Sequence, residues 1–180
     1  MSDVTYKDLT FEPYITRQQI AERVRQLGAQ LTDEYRGKAP VFVCVLNGAY
    51  IFAADLFREI ALPDAEIYFV RLKSYVGTSS TGKVKEVLGL NVDIHDRHVV
   101  IVEDIVDTGQ TATAILQMMK ENGAATAHMA TLLYKTNDIH DKHRPKYIGF
   151  SIPPKFVVGY GLDVDEKFRN LPEIYILKEK

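Results

Sequence analysis

The stretch VVIVEDIVDTGQTA, residues 99–112, sets three carboxylates, Glu103, Asp104 and Asp107, beside the small, hydroxyl-rich turn Thr108-Gly109-Gln110-Thr111. An apolar run leads in and a helical pattern leads out. The first N–H groups of a helix have no intrahelical partner and lie at the positive end of its dipole, so such a turn suits a phosphate. Thr108 and Thr111 add hydroxyl donors, and Gly109 lets the backbone approach closely. Carboxylates repel phosphate, so the acids must serve another part of the same ligand. Adjacent carboxylates accept hydrogen bonds from a vicinal diol, such as the 2′ and 3′ hydroxyls of a ribose. They also hold a hard divalent cation, and magnesium favours carboxylate and phosphate oxygens. A ligand with a phosphate at one end, a diol in the middle and a magnesium-bound pyrophosphate beyond satisfies every group. The compound 5-phosphoribosyl 1-pyrophosphate has that form.

Around this turn the sequence alternates strand and helix patterns. Ile20, Val24, Leu27, Leu31 and Tyr35 recur at helical spacing, which predicts an amphipathic helix over 16–35. Thr16 and Gln19 form a capping box at its start, and Gly37 closes its end. VFVCVL, residues 41–46, reads as a strand covered on both faces. A second helix is expected from Gly48 to about Ile60, and a strand over 65–71. The strand over 99–102 then enters the acidic turn and a helix over 108–122, with Gly123 at its end. Further strands are expected over 126–134, 147–152 and 156–160. The pattern argues a doubly wound α/β sheet with an appended hood of irregular segments. In such a sheet ligands bind beyond the carboxyl ends of the strands, where the acidic turn lies.

Composition narrows the function classes. A net charge of -2 gives no electrostatic grip on nucleic acid or on an acidic membrane, so neither is expected as a partner. No segment approaches 18 apolar residues, and MSDVTYKDLT lacks the basic and apolar regions of a signal peptide. A cytoplasmic location is the expectation. The single cysteine, Cys44, excludes an internal disulfide and sits in an apolar run as a buried core thiol. His95 and His98, in DIHDRH, read as solvated loop histidines because no third ligand is near in sequence. SYVGTSSTGKVK, residues 74–85, has no apolar face and reads as a surface hairpin tip or a lid.

VVIVEDIVDTGQTA resembles the phosphoribosyl-pyrophosphate signature of the type I phosphoribosyltransferases. From about Val41 to Leu177 the chain is similar to the hypoxanthine-guanine members, through VLNGAY, RLKSYVGTSSTGK, LLYKT and PPKFVVGYGLDVDEKFRNLPEIYIL. The resemblance implies an α/β type I phosphoribosyltransferase fold: a mostly parallel twisted sheet flanked by helices, with a small hood formed by terminal segments. It implies one domain over 1–180, with a core of about 38–150 and a hood from about 1–15 and 151–180. The implied reaction is magnesium-dependent transfer of the 5-phosphoribosyl group to N9 of hypoxanthine or guanine, giving IMP or GMP and pyrophosphate in purine salvage. Self-association as a dimer or tetramer is implied with it.

Residue by residue, the resemblance makes Lys135 the donor to the 6-oxo group of the purine. An ammonium only donates, so it suits that oxygen and not the amino group of adenine. Phe156 and Val157 match residues that pack on the base and offer it backbone groups. Asp163 matches an aspartate that holds a second magnesium through water, near the base, and Glu103 and Asp104 serve the first. Arg169 matches a basic residue that meets pyrophosphate. Leu46, Asn47 and Gly48 match the pyrophosphate loop, with a non-proline cis peptide expected between the first two. Asn47 stands where many members have lysine, which leaves the backbone N–H groups to hold pyrophosphate. Gln110 likewise replaces a lysine of some relatives and keeps its backbone contact to phosphate.

Asp107 matches a carboxylate placed near N7 of the base, where it takes the proton released as N9 attacks; helix N-cap is its other reading. Ser74 and Tyr75 match a pair that covers the reaction centre and keeps water from the ribosyl cation. Two rivals share parts of the pattern. A transcriptional regulator that keeps the fold as a ligand sensor would need a DNA-binding segment or a basic surface. A receiver domain would need its acid pair near the first strand, where this chain has Leu46-Asn47-Gly48.

Overall fold

The computed structural model of the chain describes residues 2–73, 85–136 and 144–179. The 74–85 segment, with Ser74 and Tyr75, lies outside the described residues except at its last position. The elements run in the order β1 (Val4–Tyr6), β2 (Leu9–Ile15), α1 (Arg17–Tyr35), β3 (Val41–Leu46), α2 (Tyr50–Arg58), β4 (Glu66–Lys73) and β5 (Lys85–Leu88). They continue as β6 (His98–Val106), α3 (Gln110–Glu121), β7 (Thr126–Lys135), β8 (Tyr147–Ile152), β9 (Val157–Val158) and β10 (Ile174–Leu177).

The main sheet has the order β5-β4-β3-β6-β7-β8. Five of its strands are parallel and β5 is antiparallel at the edge. β3 is buried along nearly its whole length because helices cover both faces. On one face α1 and α2 pack Leu27, Leu31, Phe52 and Leu56 against Phe42, Cys44, Val100 and Leu132. On the other, α3 packs Ala112, Ile115 and Met119 against Val43, Ile101 and Met129. Burial on both faces is what makes these strands continuous apolar runs. α1 begins as expected: Thr16 is its N-cap and the Thr16–Gln19 capping box is formed.

Three expectations need correction. The hood is no set of irregular segments: it is a four-stranded antiparallel sheet, β1-β2-β10-β9, which joins the two ends of the chain. Pro13 hides β2 from a reading by propensity, because proline cannot complete a ladder. It is accommodated opposite Tyr175, where the β2–β10 register shifts. Second, Glu103 and Asp104 are not in a turn; β6 carries both and runs on to Val106, paired with β7. The neighbouring strand holds the chain extended past the acids. Third, His98 is no solvated loop residue. It starts β6, half-buried, with Nδ1 2.9 Å from Oγ1 of Thr126.

Candidate active site

Strand β6 delivers the acids and α3 delivers the cradle. Between them the chain makes a sharp turn at Gly109, which has φ 75°. That left-handed conformation is easy for glycine and costly for other residues. Gly109, rather than Asp107, is the N-cap of α3, and no side chain caps it. The first N–H groups of α3 therefore stay open to an anion. Thr108, Gln110 and Thr111 are exposed around this mouth.

Asp107 is instead drawn across the sheet. Its Oδ2 accepts a bond of 2.7 Å from Nζ of Lys135, at the end of the adjacent strand β7. Lys135 is largely covered while Asp107 stays half-exposed. The two residues assigned to the purine thus meet at the carboxyl ends of neighbouring parallel strands.

Glu103 and Asp104 form no ion pair among the described side chains. Oε2 of Glu103 is shielded from solvent and has no hydrogen-bond partner. Burial pushes its carboxyl well above the ordinary range, and the Asp104 charge adds to the effect. Asp104 is pushed up to about 6, chiefly by burial. The N–H of Ile105, which donates to its Oδ1 at 2.8 Å, and the Arg169 charge oppose that shift. Neither carboxylate has a cationic partner among the described side chains, and Oε2 of Glu103 has no donor at all. Among the described residues no three carboxylate, imidazole or thiolate side chains converge on one point. A divalent cation here would be shared with ligand oxygens, which suits magnesium bound to pyrophosphate.

The β3–α2 loop closes on these acids. The Leu46–Asn47 peptide is cis, as expected. Gly48 lies so close to Asp104 that a Cβ built on it would overlap Oδ2. From the other side Gly161 presses on Gly48: a Cβ there would overlap the Gly48 carbonyl oxygen. Gly161 has φ 104° and follows Tyr160, at φ 51°. Neither Gly161 nor Tyr160 was singled out by sequence reasoning. The paired glycines of VVGYGLD were the available signal.

Arg169 and Asp163 stand beside this junction. Arg169 donates from Nη1 to the Gly161 carbonyl at 2.7 Å, and its Nη2 lies 2.8 Å from Oδ1 of Asp163. It also bonds Glu166 through Nε and Nη2. Asp163 accepts the Glu166 N–H at 2.8 Å. Both residues are therefore held within one turn, close enough for their charges to act on Asp104.

Phe156 and Val157 lie in the hood. The Phe156 ring is exposed and packs on Phe11 at a tilt of 53°, with ring centroids 5.8 Å apart. Its carbonyl already accepts the Leu177 N–H at 2.9 Å. Val157 is buried in the core beside Ile152 and Leu162. The cavity of about 470 Å³ that Phe156 borders is lined by hood residues, including Leu9, Thr10 and Leu177, and by none of the residues expected to hold a phosphosugar. Cys44 is buried, and burial holds its thiol at about 12, so it is an inert core residue.

Residues 14–165 match the model of the phosphoribosyl transferase domain family. The chain is 43% identical over 167 residues to a hypoxanthine-guanine phosphoribosyltransferase of Streptococcus pneumoniae, covering 92% of each. It is 38% identical over 173 residues to that of Dictyostelium discoideum, covering 94% of this chain and 96% of the relative. A hypoxanthine phosphoribosyltransferase structure from Staphylococcus aureus superposes with a TM-score of 0.87 at 40% identity, over 93% of this chain and 91% of that one. A mutant hypoxanthine phosphoribosyltransferase of Trypanosoma cruzi, in a ternary substrates complex, also reaches 0.87, at 32% identity over 96% and 97%.

Proposed function

The chain belongs to the type I phosphoribosyltransferase family, among its hypoxanthine-guanine members, and from that membership we infer what each residue of the cleft does. The activity is hypoxanthine-guanine phosphoribosyl transfer, a purine salvage reaction. One observation supports the residue assignments best. Asp104, packed against Gly48, and Glu103, with a buried and unpartnered Oε2, stand next to each other at the end of a strand that leads into an uncapped helix N-terminus.

In this reading the 5-phosphate sits on the α3 N–H groups and the hydroxyls of Thr108 and Thr111, with Gly109 and Gln110 contributing backbone. The ribose hydroxyls donate to Glu103 and Asp104. Leu46, Asn47, Gly48 and Arg169 hold the pyrophosphate. Glu103, Asp104 and Asp163 are the groups that would hold magnesium, directly or through water. When bound, magnesium offsets negative charge gathering on the leaving pyrophosphate.

As the bond from C1 of the ribose to pyrophosphate stretches, positive charge grows on the sugar. Glu103 and Asp104 lie where that charge develops and stabilise it. N9 of the purine attacks C1, and Asp107 accepts the proton from N7. Lys135 donates to the 6-oxo group. Its ammonium has three donors, so it serves that oxygen while keeping its bond to Asp107. The exposed Phe156 ring packs on the base, with Val157 beside it. Ser74 and Tyr75 are assigned to a lid. Assembly as a dimer or tetramer and a cytoplasmic location complete the proposal. No helix among the described residues is long and apolar enough to cross a membrane.

The test is direct. The protein is incubated with 5-phosphoribosyl 1-pyrophosphate, with and without magnesium, and with hypoxanthine, guanine or xanthine in turn. IMP or GMP should form only with the metal. Absence of nucleotide from every base would overturn the reading.

A further inference from the structure

Resting on the phosphoribosyl-transfer reading above, we propose that Tyr160 and Asp55 are a positioning pair. Their hydrogen bond seats the hood on the pyrophosphate loop and so sets affinity for the pyrophosphate end of the substrate.

The phenol of Tyr160 donates to Oδ2 of Asp55 at 2.5 Å, joining the hood to α2. Asp55 also pairs with Arg58 on the same helix. α2 is the direct continuation of the pyrophosphate loop, tied to it by the Tyr50 N–H on the Asn47 carbonyl. On the hood side Tyr160 is followed by Gly161, which lies against the Gly48 carbonyl. The Gly161 carbonyl receives Arg169, which in turn holds Asp163. One hydroxyl thus fixes the separation between the loop and the two charged residues assigned beside it.

Tyr160 is in the left-handed region at φ 51°, which tyrosine enters only when its surroundings hold it there. Its N–H donates to Leu171 at 2.8 Å and the next N–H donates to Arg169 at 2.9 Å. Its side chain is buried, where a phenylalanine ring would fill the same space without a polar group to satisfy. The hydroxyl is therefore present for its bond. Both partners line a cavity of about 580 Å³ between α1, α2 and the hood, so the bond crosses at the rim of an incompletely filled junction. Burial, and then Asp55, push the phenol above its ordinary range, so it stays a donor. Tyr160 is a positioning residue, because its hydroxyl bonds Asp55 and not the residues assigned to the ligand.

Steady-state kinetics in both directions test the pair, with Tyr160→Phe, Asp55→Ala, Asp55→Asn and the double variant Tyr160→Phe/Asp55→Ala. A lost bond to a charged acceptor predicts KM for 5-phosphoribosyl 1-pyrophosphate, and for pyrophosphate in reverse, raised about tenfold in Tyr160→Phe and Asp55→Ala. The base KM and kcat should stay within about twofold. Asp55→Asn keeps an acceptor for the phenol and should stay near the parent. The double variant should be no worse than either single one. Additive losses, equal shifts in both substrates, or a lowered melting temperature with unshifted KM would overturn the pair. Should Tyr160→Phe fail to fold, the contrast between Asp55→Ala and Asp55→Asn decides alone. Parent enzyme that forms no nucleotide would strike the reaction itself; active parent with unshifted variants strikes only the pair.

Discussion

Gly48 and Asp104 are in contact so close that the carboxylate fills the space a side chain on Gly48 would need. Gly48 follows β3 and Asp104 lies near the carboxyl end of β6, a neighbouring parallel strand, so the contact sets the depth of the cleft at the carboxyl edge of the sheet. Gly48→Ala should displace either the loop or the acid. Misplacement on the scale of an ångström near reacting groups costs about 10²-fold, and kcat/KM for 5-phosphoribosyl 1-pyrophosphate should fall by that order. An unchanged kcat/KM would show that the contact has no part in catalysis.

Asp107→Asn should lower turnover by about 10² to 10⁴, the usual worth of a positioned base. Binding of 5-phosphoribosyl 1-pyrophosphate, measured by calorimetry, should be mostly retained, since the helix N-terminus is untouched. Unaltered turnover would remove Asp107 as the base.

Lys135→Met should act on the other substrate. Losing one charge-assisted bond to the 6-oxo group predicts kcat/KM for hypoxanthine and guanine reduced roughly 10- to 100-fold. The KM for 5-phosphoribosyl 1-pyrophosphate should hold. A loss spread equally over both substrates would place Lys135 outside the base site.

Glu103→Gln should separate stability from function. Oε2 of Glu103 is buried without a partner and burial disfavours its charged form, so a neutral side chain of the same shape removes a desolvation cost. At pH 8 and without metal, the melting temperature should rise; 1 kcal/mol corresponds to about 2 to 4 °C for a chain of this size. Binding of 5-phosphoribosyl 1-pyrophosphate should weaken in parallel. A lower melting temperature would mean that Glu103 has a structural partner in solution.

A pH dependence follows from the opposite edge of the sheet, away from the acids. His128 bonds the Tyr35 hydroxyl at 2.9 Å. Burial, aided by the Lys146 charge, holds its imidazole below the ordinary value of 6.5. The unfolded chain then takes up the proton first, so this stability is present above about pH 6.5 and is lost as pH falls through it. Burial, the largest single influence on Glu34, raises its carboxyl, but Lys146 and Tyr147 together hold it below 4.5, so its contribution is lost only at lower pH. Urea midpoints should drop between pH 7.5 and 5.5, and His128→Gln should flatten that slope. An equal slope in the variant would exclude His128 as its source.

The sequence by itself determined whatever depends on neighbours along the chain. Helical spacing and the Thr16–Gln19 box specify α1, because side chains a turn apart share a face. The apolar run 41–46 specifies a strand buried on both faces. The order of acids, glycine and threonines from 103 to 111 specifies an acidic strand end followed directly by a small, hydroxyl-bearing helix start, the arrangement on which the proposed sugar and phosphate contacts rest. The extent of β6 was less legible: charged residues read as a turn until β7 is there to pair with them.

Tertiary structure alone decided the contacts between distant segments. No local pattern tells that Gly161 lies on Gly48, that Lys135 reaches Asp107, or that Tyr160 grips Asp55. The hood shows why. β2 contains a proline and β10 has four residues, so neither satisfies its backbone or buries its apolar face alone. They become strands only when the two ends of the chain meet, and that meeting is secured by the fold of everything between them.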